Sequence, residues 1–207
     1  MHSPRAAEQS AVLRRPLCLQ PASRAPRGAA GAAALQWQMD AALPDENAMN
    51  PAEHNRFMAR AIALAVENVR KGLGGPFGCV VVKDGQIVAE GANRVTSAND
   101  PTAHAEIVAI REACRVLGHF QLTGCDLYTS CEPCPMCLGA IYWARPARVF
   151  YAGTAEDAAQ AGFDDVDILR ELQQPPVRRR IPMQQIMREP ALEAFRLWQQ
   201  KPDKVAY

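Results

Sequence analysis

Apolar and polar positions alternate with two distinct periods from residue 50 onward. Asn50-Pro51-Ala52-Glu53 opens a helix, with Asn as N-cap, Pro at the first position and Glu at the third. Phe57, Ala61, Leu64 and Ala65 then share one face, and Gly72, Gly74 and Gly75 end the helix. Two strand-like runs follow, 79–83 and 86–90, joined by Asp84-Gly85, a strong signal for a two-residue hairpin. A polar loop covers 93–100. Residues 102–117 read as a second helix, 126–129 as a third strand, 135–144 as a third helix and 148–152 as a fourth strand. A helical pattern covers 166–172, a fifth strand is expected over 182–187, and a last helix over 191–199. A hairpin followed by alternating helices and strands implies an α/β protein, a three-layer α/β/α sandwich around a five-stranded mixed sheet.

Residues 1–47 differ from this body. They are rich in Ala, Arg, Pro and Gly and carry no sustained period. They read as a disordered tail or an over-extended start of translation, with Met39 and Met49 as alternative starts. An organelle-targeting peptide is the rival reading, because the segment is Arg-rich and acid-poor. The 207 residues leave room for one ordinary domain, here 48–200, followed by a short tail at 201–207. No apolar run is long enough to span a bilayer, which excludes a helical membrane protein.

Charge sharpens the division. The net charge is +1, yet residues 1–38 hold five arginines against the single acid Glu8. The body is therefore mildly acidic, which argues against a long nucleic acid as substrate. Arg178-Arg179-Arg180 is its one basic run, and a run that short reads as a solvated loop. The chain has seven cysteines, an odd number not spaced as a disulfide framework, and no secretory signal. Clustered thiols in such a chain point to metal or redox use in a reducing cytoplasm.

The clustering is specific. His104-Ala105-Glu106 stands at one expected helix start, and Pro133-Cys134-Pro135-Met136-Cys137 stands at another. A catalytic zinc takes three protein ligands and keeps a fourth position for water, and one imidazole with two thiolates meets that need. Two cysteines three apart on a first helical turn can grip one ion, and the helix dipole favours both thiolates. Glu106 is not needed as a ligand and is free to move protons. Taken alone, Cys134-x-x-Cys137 is equally readable as a redox pair, and a lone helical His as a structural residue. Together they form H-x-E…P-C-x-x-C, the signature of zinc-dependent nucleobase deaminases. Cys131 makes a second C-x-x-C with Cys134 but falls outside the proline-led pair. Using it would close the site and leave Glu106 without a role. Cys79, Cys114 and Cys125 read as small core residues, and His54 and His119 as ordinary helix-end or surface residues.

The resemblance extends beyond the signature. Gly74-Gly75-Pro76-Phe77-Gly78, Asn99-Asp100-Pro101-Thr102-Ala103-His104-Ala105-Glu106, the stretch from Tyr128 through Arg145, and Ala161-Gly162-Phe163-Asp164-Asp165 resemble the cytidine deaminase-like superfamily in its guanine deaminase branch. The similarity runs from about Ala52 to Tyr207. Members of that branch convert guanine to xanthine and ammonia, and guanosine deaminases are close relatives. The resemblance implies one Zn²⁺ per subunit on His104, Cys134 and Cys137, with Glu106 as the catalytic proton carrier. It implies a small purine base as substrate, bound by Asn93, Phe77, Ala105, Trp143 and Asp165, with Asp164 the alternative to Asp165. A carboxylate suits the N–H donors on that edge of guanine, being an acceptor only. Without the resemblance, Gly162 to Asp165 reads as a helix cap. The resemblance further implies a homodimer in which the tail of one subunit crosses to close the partner's site, with Tyr207 as the terminal tyrosine. Rival readings are guanosine, cytosine, cytidine or transfer-RNA adenosine on the same machinery, and a zinc-stabilised binding protein without catalysis.

Overall fold

Strand β1 (Gly78–Lys83) is buried on both faces, and this explains its unbroken apolar run. Cys79 and Val81 face one core, and Val80 and Val82 the other. The structure is a computed structural model of the chain and describes residues 51–206. The expectations for the N-terminal segment, for the Asn50 cap and for Tyr207 lie outside the described residues.

Helix α1 (Pro51–Arg70) covers one face of the sheet with Phe57 and Ala61. Strand β2 (Gln86–Ala92) returns antiparallel to β1 through Asp84 and Gly85, whose φ values of 50° and 71° are both positive, as a type I′ turn requires. The register slips between Val81 and Val82, a bulge in the hairpin. A short helix α2 (Val95–Ala98) interrupts the expected polar loop. Helix α3 (Ala105–Leu117) lies on the second face, against β2 and β1. Strand β3 (Cys125–Cys131), helix α4 (Pro135–Ala144) and strand β4 (Arg148–Gly153) form a parallel β–α–β unit. The sheet order is β2-β1-β3-β4, with β1 antiparallel to both neighbours. Helices α5 (Ala155–Gln160), α6 (Asp165–Gln173) and α7 (Arg188–Gln200) complete the described chain, with a 3₁₀ turn at Pro176–Arg178.

Two cores result. Ala105, Ala109, Ile110 and Ala113 of α3 meet Val81, Ala89, Leu127 and Ile141 on one side. On the other, Phe57 packs on Tyr128, which stacks on Phe150. The Tyr128 hydroxyl is satisfied by His54 Nδ1 at 2.6 Å, and burial pushes its pKa up to about 12. His54, read above as an ordinary helix-end or surface residue, is thus the polar partner of Tyr128, the largest fully buried side chain among the described residues. Arg148 donates to both carboxylate oxygens of Asp126 at 2.9 and 2.6 Å and ties β3 to β4 at a register pair.

Three expectations need correction. The sheet has four strands among the described residues, not five. Residues 182–187 form no strand: Pro182 has no N–H to donate, Met187 turns to φ 51°, and Ile181, Met183 and Ile186 stay exposed. Helix α3 starts at residue 105 rather than 102, because the Asp100 carboxylate accepts from both the amide and the hydroxyl of Thr102 and holds that segment in a turn. Helix α5 was not expected, although Thr154 and Asp157 form a reciprocal capping box at its start.

One contact sets the depth of α3. An atom in the Cβ position of Gly91 would lie 2.2 Å from the Ala105 carbonyl and 2.6 Å from the Ala109 nitrogen. Only a glycine lets β2 and the first turn of α3 come this close. Gly91→Ala is expected to destabilise the fold by about 3 kcal/mol, the upper range for overpacking. Thermal unfolding checks this; a melting temperature equal to the parent's would contradict the close approach.

Candidate active site and metal centre

The ends of two helices create the site. His104 and Cys134 are both N-cap residues with extended backbone, at φ −68°, ψ 157° and φ −62°, ψ 166°. For Cys134 the cause is local. Pro135 occupies the first helical position, where its missing N–H costs nothing, and it forces the preceding residue out of the helical region. For His104 the Asp100–Thr102 turn plays that part. Each side chain therefore projects from a helix mouth. Cys137, at the third position of α4, is fully buried.

The outcome is a compact donor set. One ligand atom each from His104, Cys134 and Cys137 lies within 4.8 Å of the others, and Cys134 Sγ is 3.6 Å from His104 Nδ1. Ligand atoms around one tetrahedral zinc lie about 3.5–3.8 Å apart, from bond lengths of 2.0–2.3 Å. The donors and their spacing fit a zinc ion. Cys131 is not in the group. Its thiol donates to the Thr154 carbonyl at 3.4 Å, and burial pushes its pKa up to about 11.

Electrostatics at the floor are polarised. The hydrogen bond from Cys137 takes the Cys134 thiol down to about 4, helped by His104, while the same bond and burial push Cys137 up. The Cys134 contact raises His104 in turn. Glu106, 6% exposed on the first turn of α3, is pushed up chiefly by burial. Burial, followed by the charge of Cys134, does the same to Asp165. Several acidic groups thus share a desolvated floor beneath two helix N-termini.

Above this floor is a cavity of about 520 Å³, within the range of small-molecule sites. Phe77, Asn93, His104, Glu106, Cys134 and Asp165 line it. Six residues singled out from sequence thus meet in one place. Ala105 is buried as the first residue of α3 and does not line the cavity, and Trp143 stands 62% exposed on α4. Asp165 opens helix α6, and Asp164 is its N-cap without a side-chain capping bond.

Phe163 and Glu132 line the cavity without having been singled out. Phe163 meets Phe77 edge-on, with centroids 4.8 Å apart and planes at 76°. Its only sequence signal was its place beside Asp164-Asp165. Glu132 accepts the Ala155 N–H at 3.1 Å and joins the motif loop to α5. The basic run has internal work. Arg179 donates to the Leu172 and Gln174 carbonyls at the end of α6, and Arg180 pairs with Glu171.

Known proteins resemble this chain in sequence and fold. The zinc-binding region of the cytidine and deoxycytidylate deaminases matches residues 51–153. The guanine deaminase of Bacillus subtilis is 58% identical over 154 residues, covering 74% of this chain and 99% of that protein. Its X-ray structure superposes with a TM-score of 0.73 at 57% identity, covering 77% and 99% of the two chains. A guanine deaminase structure from Nitrosomonas europaea gives a TM-score of 0.52 at 31% identity, covering 61% of this chain and 71% of that one. A tRNA-specific adenosine deaminase of Agrobacterium fabrum is 51% identical, but over only 76 residues, 37% of this chain and 50% of that protein. The chain belongs to the zinc-binding cytidine and deoxycytidylate deaminase family, in the branch that holds the Bacillus subtilis guanine deaminase.

Proposed function

We propose that this protein hydrolyses guanine to xanthine and ammonia, with one zinc ion per subunit on His104, Cys134 and Cys137. The observation that carries this reading is the clustering of those three donors, two of which, His104 and Cys134, line one cavity together with the buried Glu106 while Cys137 lies buried behind it. The near full-length similarity to a guanine deaminase supports guanine as the base. When bound, zinc supplies the Lewis acidity that makes water a nucleophile near neutral pH.

The chain's own groups do the rest. Glu106 takes one proton from the attacking water and delivers it to a ring nitrogen, then takes the remaining hydroxyl proton as the carbonyl forms and passes it to the departing amine. The bond from the ring carbon to the amine breaks and a carbonyl replaces it. Phe77 and Phe163 present aromatic edge and face to the flat base. Asp165 accepts from the N–H groups of guanine, and Asn93 holds the opposite edge by hydrogen bonding. The Arg179 and Arg180 bonds that close α6 speak for a small substrate over RNA, because they occupy two of the three arginines in the one basic run of the body.

The catalytic body is residues 48–200, and a second copy completes it. Helices α6 and α7 bury no residue within the chain, and Ile181, Ile186 and Phe195 are 64–80% exposed. An apolar surface of this kind marks an interface. A homodimer covers it, brings Tyr207 of the tail over the neighbouring site and gives exposed Trp143 a place beside the base. No helix among the described residues is long and apolar enough to cross a membrane. The six free thiols among the described residues suit a reducing cytoplasm.

Ammonia release from guanine, guanosine, adenine, cytosine and cytidine, with zinc measured on the same sample, tests the reading. Guanine is expected to react fastest and zinc to approach one per chain; a preparation that binds zinc but deaminates none of the five would overturn it. Chelation should abolish ammonia release and added zinc restore it. Glu106→Gln is expected to keep its zinc and lose about 10²–10⁴-fold in kcat. An active Glu106→Gln enzyme would remove Glu106 from the mechanism. Cys131→Ser should retain zinc while Cys134→Ser loses it, and equal metal loss in both would reassign the ligands. Deletion of residues 205–207 should cut turnover by roughly tenfold or more through lost closure of the site, at unchanged zinc content. Full activity after deletion would remove the tail from the site.

A further inference from the structure

Asn68 lies near the end of α1, 4% exposed, one of few buried polar side chains among the described residues. No part of the mechanism above uses it. Its amide nitrogen donates to two main-chain carbonyls, Gly75 at 2.9 Å and Asn93 at 2.8 Å. These two residues border the cavity from different segments, one from the loop after α1 and one from the end of β2. Ordinary completion of a helix end does not account for this reach, because the Asn68 carbonyl already accepts from Leu73.

The bridge fixes the direction of Asn93. The Asn93 side-chain oxygen accepts from the amides of Gly75 and Val95, both at 3.2 Å. A flipped amide would set donor against donor at both contacts, so the orientation is determined. The Asn93 main chain is held as well, its N–H by the Phe77 carbonyl and its carbonyl by Asn68. Gly74 permits the approach, since a Cβ there would lie 2.2 Å from the Asn93 carbonyl. The Asn93 NH₂ group has no hydrogen bond to another described residue. No fully buried side-chain nitrogen or oxygen among them lacks a partner, so this group is open to the cavity that Asn93 lines.

We propose that Asn68 is a positioning residue for base recognition, which ties Gly75 to Asn93 and so presents the Asn93 NH₂ as a donor to a purine carbonyl oxygen or unprotonated ring nitrogen. The inference rests on the assignment of Asn93 to the base made above. Asn68 touches no substrate. It acts by keeping the Gly75 amide where it holds the Asn93 oxygen. With Asn68 shortened, the loop moves away from Asn93 and the amide rotates. A donor presented in a fixed direction favours bases with an acceptor at that edge.

A double-mutant cycle in full-length, zinc-loaded Glu106→Gln protein tests this, with guanine as the probe and its Kd measured by equilibrium titration. Asn68→Ala is expected to weaken guanine about tenfold, the effect of one misplaced hydrogen bond, and Asn93→Ala at least as much. The double variant should bind no more weakly than Asn93→Ala alone. Its melting temperature should still show the full Asn68→Ala loss, because the main-chain bonds are broken in either background. Asn68→Ser keeps a donor for one carbonyl and should weaken guanine less than Asn68→Ala; it also serves if the alanine variant does not fold. Unchanged binding in Asn68→Ala, or in Asn68→Ser when the alanine variant is unfolded, would overturn the inference. So would losses that multiply in the double variant. If Asn93→Ala binds guanine like its parent, the Asn93 assignment itself is wrong and the inference falls with it. If only the Asn68 variants are silent, the assignment stands and the inference alone fails.

Discussion

Two helix N-termini aimed at one point are the constraint on which the structure depends. Cys134, Cys137, Glu106 and Asp165 crowd acidic groups onto a desolvated floor, an arrangement that is costly without nearby positive charge. The N-termini of α3 and α4 supply part of that charge through their dipoles, and a zinc ion on the proposed His104–Cys134–Cys137 set would supply the larger part. The backbone makes the convergence. Pro135 and the Asp100–Thr102 turn hold the two ligands extended at the helix mouths, and Gly91 lets α3 settle against β2 until they meet. Cys131, in the same cluster of thiols, is kept apart by its bond to Thr154. The metal site is thus defined by backbone conformation as much as by ligand type.

The residues proposed to recognise the base are held differently. The candidate metal donors rest on helices and the strand end between them, whereas the proposed base contacts rest on loops. Asn93 follows a strand, Phe77 follows a glycine-rich turn, and Phe163 and Asp165 lie at the start of α6. Loops hold a side chain in place only when other bonds fix them. The Asn68 bridge and the Glu132–Ala155 bond do so here.

Much of this was legible in the sequence where one local rule acts alone. Asp84-Gly85 demanded a hairpin, and Pro135 set the start of α4 to the residue. The grouping of His104, Cys134 and Cys137 near Glu106 was readable because the chemistry expected of them needs few residue types at short spacing. Readings failed where a second interaction intervened. The start of α3 moved by three residues because a side-chain bond of Asp100 outweighed helix propensity. Residues 182–187 were expected to add a fifth strand, yet no described strand pairs with them and a proline sits among them. The expected base contacts divided in the same way. Asn93, Phe77 and Asp165 reach the cavity, while Trp143 projects from the exposed face of α4. Glu132 and Asn68 had no signal of their own and Phe163 only its place beside Asp164-Asp165, since each acquires its position only when distant segments pack.

The central claim is a zinc ion held by three protein ligands with a position left for water, beside a carboxylate that is not a ligand. X-ray absorption at the zinc edge of the full-length protein without substrate tests it most directly. The account requires two sulfur scatterers, one imidazole nitrogen and one further light atom, and the same spectrum from Cys131→Ser. A third sulfur in the parent that disappears in Cys131→Ser would contradict it, because the site would then be closed and Glu106 would have no water to deprotonate.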